Sequence, residues 1–412
     1  MITGVQEGIF WQEKTTPGAH FGILFLRLND DLDAASAYEG LRSLWMMYQN
    51  LKQGRTADLP GIQLPDSHLT VTIGYGRNLF GRVAGVRQAV PQGLKLYGNL
   101  KSPAPTGGGE ILKGAGLSYS SKTLKNPATE DIVVQFTAAT ALGVNQAIVE
   151  TWKFLTFTRP FAAFGKFYTG FQREDRRSWL GFHDGISNLR SGKERQNAIE
   201  IKPGIAADSW VERGTYLVFM RIEVDLRVWH RLGLADQELL VGRTKLSGCP
   251  VVGIDPATQA LRVPTGCPVV DTKQITDPTP AGSNFPFFET PVIADPVVLL
   301  SHVQRANHHI APTSDRNSLR IFRQGYEFLE STNESPGFSA GLNFVSFQDT
   351  PERVTRMLTS PSWLGGVNFG SNDTHPTNRD TPLLSVLAGG VYVVPPANDQ
   401  DLLPGYDLFV VG

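Results

Sequence analysis

The stretch 301–328, SHVQRANHHIAPTSDRNSLRIFRQGYEF, leaves the chain few local choices. Just upstream, Asp295 can cap a helix, and Pro296 fits its first turn, where the missing N–H costs nothing. Val298, Leu299, His302 and Ala306 then recur at helical spacing and make one apolar face. Asn307 tolerates a left-handed backbone and Pro312 forbids continuation, so a helix is predicted over 296–307. After a polar turn, LRIFRQGYEF resumes as extended chain carrying Arg320 and Arg323. The helix sets the His302 imidazole in the middle of an apolar face. Such a histidine is most often a hydrogen-bonded core residue. The functional reading is a ligand to haem iron inside an apolar pocket.

A second stretch, GFHDGISN at 181–188, holds Asp184 between glycines. By itself that pattern is usually an Asx-turn or a helix cap. Together, the two stretches resemble the dye-decolourising peroxidase family of haem enzymes. The family's Gly-x-x-Asp-Gly motif reads Gly181, Phe182, His183, Asp184, Gly185 here. Its proximal histidine, written His-x-x-x-x-Asn, matches His302 and Asn307. Its Arg-x-x-Arg-x-Gly strand matches Arg320, Arg323 and Gly325, which makes Arg323 the distal candidate. Four weaker phrases follow the family's order: LTVTIGYG at 69–76, GTYLVFMRIEVD at 214–225, GLNFVSFQ at 341–348 and GGVYVVPP at 389–396. One departure stands out. Where the family often has Pro-Arg after the asparagine, with the arginine toward a haem propionate, this chain has His308 and His309, two imidazoles that could replace it.

The resemblance implies an α+β fold of two ferredoxin-like domains, each an antiparallel sheet with flanking helices, with haem b held mainly by the C-terminal one. The domains are placed at 1–200 and 201–412, with the boundary in the polar stretch 191–207. The implied site has His302 on the iron and Asp184 and Arg323 on the opposite face. Leu342 and Phe344 match apolar residues that roof the distal pocket. Arg243, in VGRTKLSGCP, is either a propionate partner or an ordinary surface arginine. Asp380 is the expected carboxylate partner of the far His302 nitrogen, with Asp373 the alternative. The substrates implied are hydrogen peroxide and a bulky reducing donor such as a dye or phenolic, oxidised in one-electron steps. A haem-binding or haem-delivery protein with little turnover is the alternative, and a haem-free regulatory module a third.

These residue types suit that chemistry. A neutral imidazole on a core helix keeps its angle to iron, and a carboxylate behind it makes it a stronger electron donor. A carboxylate such as Asp184 can take a proton from one peroxide oxygen and return it to the other. Arg323 supplies fixed positive charge and donors where charge develops as the O–O bond breaks.

Elsewhere the pattern is that of a mixed fold. HFGILFLRL at 20–28 reads as a buried strand, 32–51 as a helix, 69–76 and 131–136 as strands and 138–157 as a helix. The second half repeats this rhythm with a strand at 214–225 and a helix at 226–241, then strands at 341–348 and 389–395. A helix opened by Thr350 and Pro351 lies between those two strands. A faint echo, FLRLNDDL at 25–32 against FMRIEVDL at 219–226, marks corresponding strand ends. The stretches 101–118, 251–294 and 371–381 read as loops. The triple glycine in the first is not followed by Gly-Lys-Ser/Thr, so it is no phosphate cradle.

A chain of 412 residues is too long for one ordinary core. Its 38 basic and 39 acidic residues give a net charge of −1, no attraction for nucleic acid or an anionic membrane. No apolar run approaches the ~20 residues that span a bilayer. Neither a signal peptide nor a twin-arginine signal is visible, so a cytoplasmic location is expected. The two cysteines, Cys249 and Cys267, stand in the near-repeats SGCPVV and TGCPVV. A hairpin could bring them together, but without an export signal two free thiols are expected.

Overall fold

The computed structural model describes residues 2–12, 14–97, 112–113, 116–119, 122–123, 126–127, 130–186, 188–189, 192–204, 206–265, 293–308, 320–354, 383–398 and 402–409. The strands of the first half are β1 (His20–Leu28), β2 (Thr70–Gly76), β3 (Ile132–Ala138) and β4 (Ala162–Phe171). Helix α1 (Ala34–Lys52) links β1 to β2, and α2 (Ala141–Lys153) links β3 to β4. The second half contributes β5 (Thr215–Val224), α3 (Leu234–Val241), α4 (His302–His308), β6 (Tyr326–Ser331), β7 (Phe338–Gln348) and β8 (Leu384–Val394). The fold is α+β with antiparallel pairing throughout these eight strands, as expected.

Within each half the order is fourth, first, third, second: β4–β1–β3–β2 and β8–β5–β7–β6. The halves join at both ends. Tyr392 and Val393 of β8 pair with Gly76 and Tyr75 of β2, and Glu327 of β6 pairs with Phe171 of β4. The eight strands therefore run in a closed ring.

Alternation along the strands explains the packing, because successive side chains point to opposite faces. Phe21, Ile23 and Phe25 of β1 meet Leu217 and Phe219 of β5, Val345 and Phe347 of β7 and Tyr392 of β8 in one buried cluster inside the ring. The Phe25 ring lies 5.6 Å from Phe219 and 5.8 Å from Tyr392, so aromatic contacts cross between halves. The opposite face of β1, Leu24, Leu26 and Leu28, packs under Leu41, Leu44 and Tyr48 of α1 and Val144 and Ile148 of α2.

The single main-chain pair at the β4–β6 seam is reinforced by side chains. Fully buried Asn343 of β7 donates through Nδ2 to Thr169 O of β4 at 2.8 Å and accepts from Arg221 Nη1 at 2.9 Å. Buried Arg221 also pairs with Glu330 at 2.7 Å and lies 3.6 Å from the Phe328 ring centre and 4.7 Å from that of Tyr168.

Several expected elements differ in the structure. Helix α1 runs Ala34–Lys52 rather than 32–51, because the Asp33 side chain caps it by accepting from Ser36 N at 2.7 Å. The helix predicted at 226–241 is two, Leu226–His230 and α3, separated around Gly233. The helix predicted at 296–307 is also broken. Asp295 does cap, accepting from Val297 N at 3.0 Å and Val298 N at 3.2 Å, but it caps a 3-10 turn, Val298–Leu300. Ser301 is then extended, with ψ 156, and α4 starts at His302. Gly242, just past α3, backs directly onto Ser301 and Val303, so close that an added Cβ would collide with both. Packing against α3 thus overrides the helical preference of the sequence.

Strand β4 has no counterpart in the sequence reading. Its faces do not alternate cleanly, and Lys166 and Phe167 are both exposed. Most of 101–118 and 251–294, and all of 371–381, lie outside the described residues. Among the described residues, no helix is long and apolar enough to cross a membrane.

The expectation of two free thiols is corrected. Cys249 is disulfide-bonded, and no described cysteine is free. The sequence's other cysteine, Cys267, falls outside the described residues. Bonding follows from whether two sulfurs can approach, a property of the folded chain. Thiol titration of denatured, unreduced protein is therefore expected to find no reactive thiol; a count of two would contradict this arrangement.

Candidate functional site

The stretch carrying Asp184 leaves β4 and folds back on itself. Ser178 N donates to Phe182 O at 2.9 Å, and Asp184 N to Arg176 O at 2.9 Å. Gly181 and Gly185 both have positive φ, 85 and 81, which accounts for glycine at both ends of the motif. The turn is fixed to the second half of the chain. Phe182 is buried edge-on against Trp229 at 6.0 Å, and Trp229 Nε1 donates to Leu180 O at 3.2 Å. Arg177 Nη1 clamps Gly181 O at 2.8 Å and Lys245 O at 2.7 Å.

Asn188 carries this anchoring to Arg323. Its Oδ1 accepts from Arg323 N at 3.2 Å, and its Nδ2 donates to Arg323 O at 2.9 Å, as a neighbouring strand would. The Arg323 guanidinium donates through Nη2 to Ile186 O at 3.3 Å, within the Asp184 loop. Asp184 itself, exposed, accepts from Gly185 N through Oδ1 at 2.7 Å. Its Oδ2 lies over Gly325, only 3.1 Å from where a Cβ would stand, beside Leu342 Cδ1 at 3.0 Å. A side chain at 325 would crowd this carboxylate and Leu342.

The face so formed can be read from register. Arg323 lies opposite Ser346, and Glu327 opposite Leu342. Arg323, Gly325 and Glu327 therefore share one side of the sheet with Leu342 and Phe344 of β7. Phe344 is partly buried against the same core as Ala306 of α4.

His302 begins α4, with Nδ1 buried. Burial, and then the Arg323 cation, push its pKa down to about 3, so the imidazole is neutral at physiological pH. Arg243 is not the surface arginine of the second sequence reading. It is buried, donates through Nη1 to Gly248 O at 2.8 Å, and burial plus the Arg323 cation lower its pKa to about 9. A neutral imidazole with the Arg323 and Arg243 cations in electrostatic range would suit haem: the ring nitrogen fits iron, and buried Arg243 fits an anionic propionate. Asp380 and Asp373 lie outside the described residues. Of Asn307 and His308, only the helical backbone is described. Among the described residues, no cluster of three or more His, Cys, Asp or Glu could hold a metal ion by itself.

The sequence matches the family profile of the C-terminal part of Dyp-type peroxidases over residues 175–399 and that of the N-terminal part over 12–112. The chain belongs to the Dyp-type peroxidase family. Its fold is similar to that of a DyP-type peroxidase from Streptomyces coelicolor, with TM-score 0.70 and 22% identity, covering 100% of this chain and 97% of that one. A DyP-type peroxidase from Cellulomonas bogoriensis gives TM-score 0.68 at 21% identity, covering 98% and 97%. A relative named deferrochelatase, from Escherichia coli strain K12, is 24% identical over 298 residues, 72% of this chain but only 60% of its own length.

Two residues of this family member escaped the sequence reading. Asn188 acts through a strand far away in sequence, which no local pattern shows. Glu327 was detectable only as the next charged residue in the period-2 series from Arg323. It is 5% exposed, and burial first, then the Asp184 carboxylate, raise its pKa from 4.5 to about 8. In the unfolded chain Glu327 ionises near its ordinary value; in the folded chain it holds its proton until pH nears 8. Its contribution to stability is thus complete below about 4.5 and is lost as pH rises through about 8, at about 1.4 kcal/mol per pH unit. Glu327→Gln removes this dependence. Urea unfolding of both proteins from acid to mildly alkaline pH is expected to show wild type losing ground steadily to the variant; parallel curves would contradict the placement.

Proposed function

We propose that this chain is a haem peroxidase that uses hydrogen peroxide to oxidise bulky organic donors such as dyes and phenolics by one-electron steps. The observation that carries the reading is that Asp184 reaches over Gly325 beside Leu342 while Arg323, on the same side of the sheet, donates to Ile186 O in the Asp184 loop, with His302 within electrostatic reach of Arg323. Bound haem b would supply the redox-active iron at which the peroxide O–O bond breaks. The chain supplies the rest. His302 offers a neutral ring nitrogen. Arg243 offers a buried cation for a propionate. Asp184 takes the proton from one peroxide oxygen and delivers it to the other, which leaves as water. Arg323, held by Asn188 and Ile186 O, presents donors to the developing charge. Leu342 and Phe344 limit the pocket to small molecules, so large donors would give up their electrons from outside it. Asp380 is retained as the proposed acid behind His302.

The strand order of each half supports two ferredoxin-like domains, 1–200 and 201–412; the haem would be held mainly by the second, which carries His302 and Arg243. Cytoplasmic residence is carried with the proposal, although a lasting disulfide at Cys249 is more usual in oxidising compartments. A second reading, a haem-handling protein with little turnover, is favoured by the relatives named deferrochelatase. The joint anchoring of Asp184 and Arg323 favours the peroxidase, because haem carriage needs neither.

Purified protein is expected to show a Soret band that responds to peroxide. His302→Ala should lose stable haem loading; unchanged ligation by resonance Raman would refute the assignment. Asp184 supplies proton transfer, which water and buffer can in part replace, whereas nothing replaces the fixed charge of Arg323. Arg323→Leu should therefore slow the reaction with peroxide by about 10²–10³-fold, at least as much as Asp184→Asn does. Weak-base buffers should restore only the latter, and stopped-flow mixing across buffer concentrations measures this. An Asp184→Asn protein that is inert in every buffer would reverse the ranking.

A further inference from the structure

Glu327 stands four residues beyond Arg323 and two beyond Gly325 on one face of the sheet, opposite Leu342 on β7 and Phe171 on β4. The groups facing it are known. The Trp179 amide donates a hydrogen bond to it, while the Asp184 and Asp175 carboxylates repel its charge. Arg173 attracts it, but that cation is paired bidentately with Asp175, at 2.9 and 2.5 Å, in a half-exposed position. A buried carboxyl thus sits between the Asp184 loop and a solvent-facing ion pair. The mechanism above gives it no task.

The reaction needs one. Reducing hydrogen peroxide to two waters takes two electrons and two protons from outside: H2O2 + 2 H+ + 2 e− gives 2 H2O. Peroxide's own two protons leave on the first water, one of them moved by Asp184. The remaining oxygen needs two more. Donors too large for the pocket release their protons elsewhere, so electrons and protons must reach the site separately.

We propose that Glu327 is the proton-relay residue of this site, handing protons to Asp184 and being refilled from solvent beside the Arg173–Asp175 pair. In each transfer the Glu327 O–H bond breaks, an O–H bond forms on the Asp184 carboxylate, and Asp184 passes that proton to the waiting oxygen. Water then reprotonates Glu327. Because it acts through Asp184, Glu327 positions protons rather than touching peroxide. The proposal rests on the peroxidase reading.

Infrared pH titration of the purified full chain, in H2O and D2O, tests it alongside donor oxidation. The wild type is expected to show a carboxylic-acid band that titrates near pH 8, is absent in Glu327→Gln, and moves to lower pH in Asp184→Asn. Haem-loaded Glu327→Gln should react with peroxide within about twofold of wild type. Its turnover of a bulky donor should fall at least about tenfold and lose the decline above pH 8, and Glu327→Asp should recover part of it. A Glu327→Gln protein with the wild-type turnover and pH profile overturns the relay alone. So does a band indifferent to Asp184→Asn. Wild-type protein that takes up haem and oxidises no donor overturns the peroxidase reading and the relay with it.

Discussion

The meeting of β4 and β6 depends on one amide side chain. A single main-chain pair, Glu327 with Phe171, joins the strands there, and Asn343 adds the bond to Thr169 O that a longer ladder would have given. Asn343 in turn is held by Arg221, whose charge is buried against Phe328 and Tyr168 and paired with Glu330. A buried guanidinium is tolerated only where its donors and charge are answered, and here an acid and two aromatic faces answer it. Without this joint the first half could not deliver its Asp184 loop to the strand that bears Arg323.

The site uses the same device one step outwards. Asn188 pairs with the main chain of Arg323 as Asn343 pairs with that of Thr169. In both places an uncharged amide crosses between halves, Asn188 through both of its groups and Asn343 through Nδ2 alone, since its Oδ1 accepts from Arg221. Charge is concentrated elsewhere. Arg323 acts on both Arg243 and the neutral His302 ring, while Asp184 acts on the buried Glu327 carboxyl. Burial sharpens both, because low polarity penalises each isolated charge and strengthens the influence of its neighbours.

Much of this could be read from the residues in order. Strands β1, β5, β7 and β8 announce themselves as apolar or alternating runs. Asp184, His302 and Arg323 stood out only because their short segments resemble the family's motifs. What escaped depends on distant contacts. The break at Ser301 comes from Gly242, and the role of Asn188 comes from a strand 135 positions away. Strand β4 escaped because a seam strand with both faces partly wet has no period to show. Cys249 escaped because proximity of sulfurs is a property of the folded chain.

Glu327 serves two structures at once. Its main chain makes the pair that closes the ring, and its side chain belongs to the acidic side of the site. Ionising that side chain therefore places an unwelcome charge at the thinnest point of the ring. Local opening begins where the fewest bonds must break. Amide hydrogens around Phe171 and Glu327 would then exchange through a local opening whose free energy shrinks as pH rises from about 4.5 to about 8, while those deep in β1 and β5 wait for the whole chain to unfold. The chain's response to rising pH is thus directional, a seam loosening beside the Asp184 loop before the core gives way.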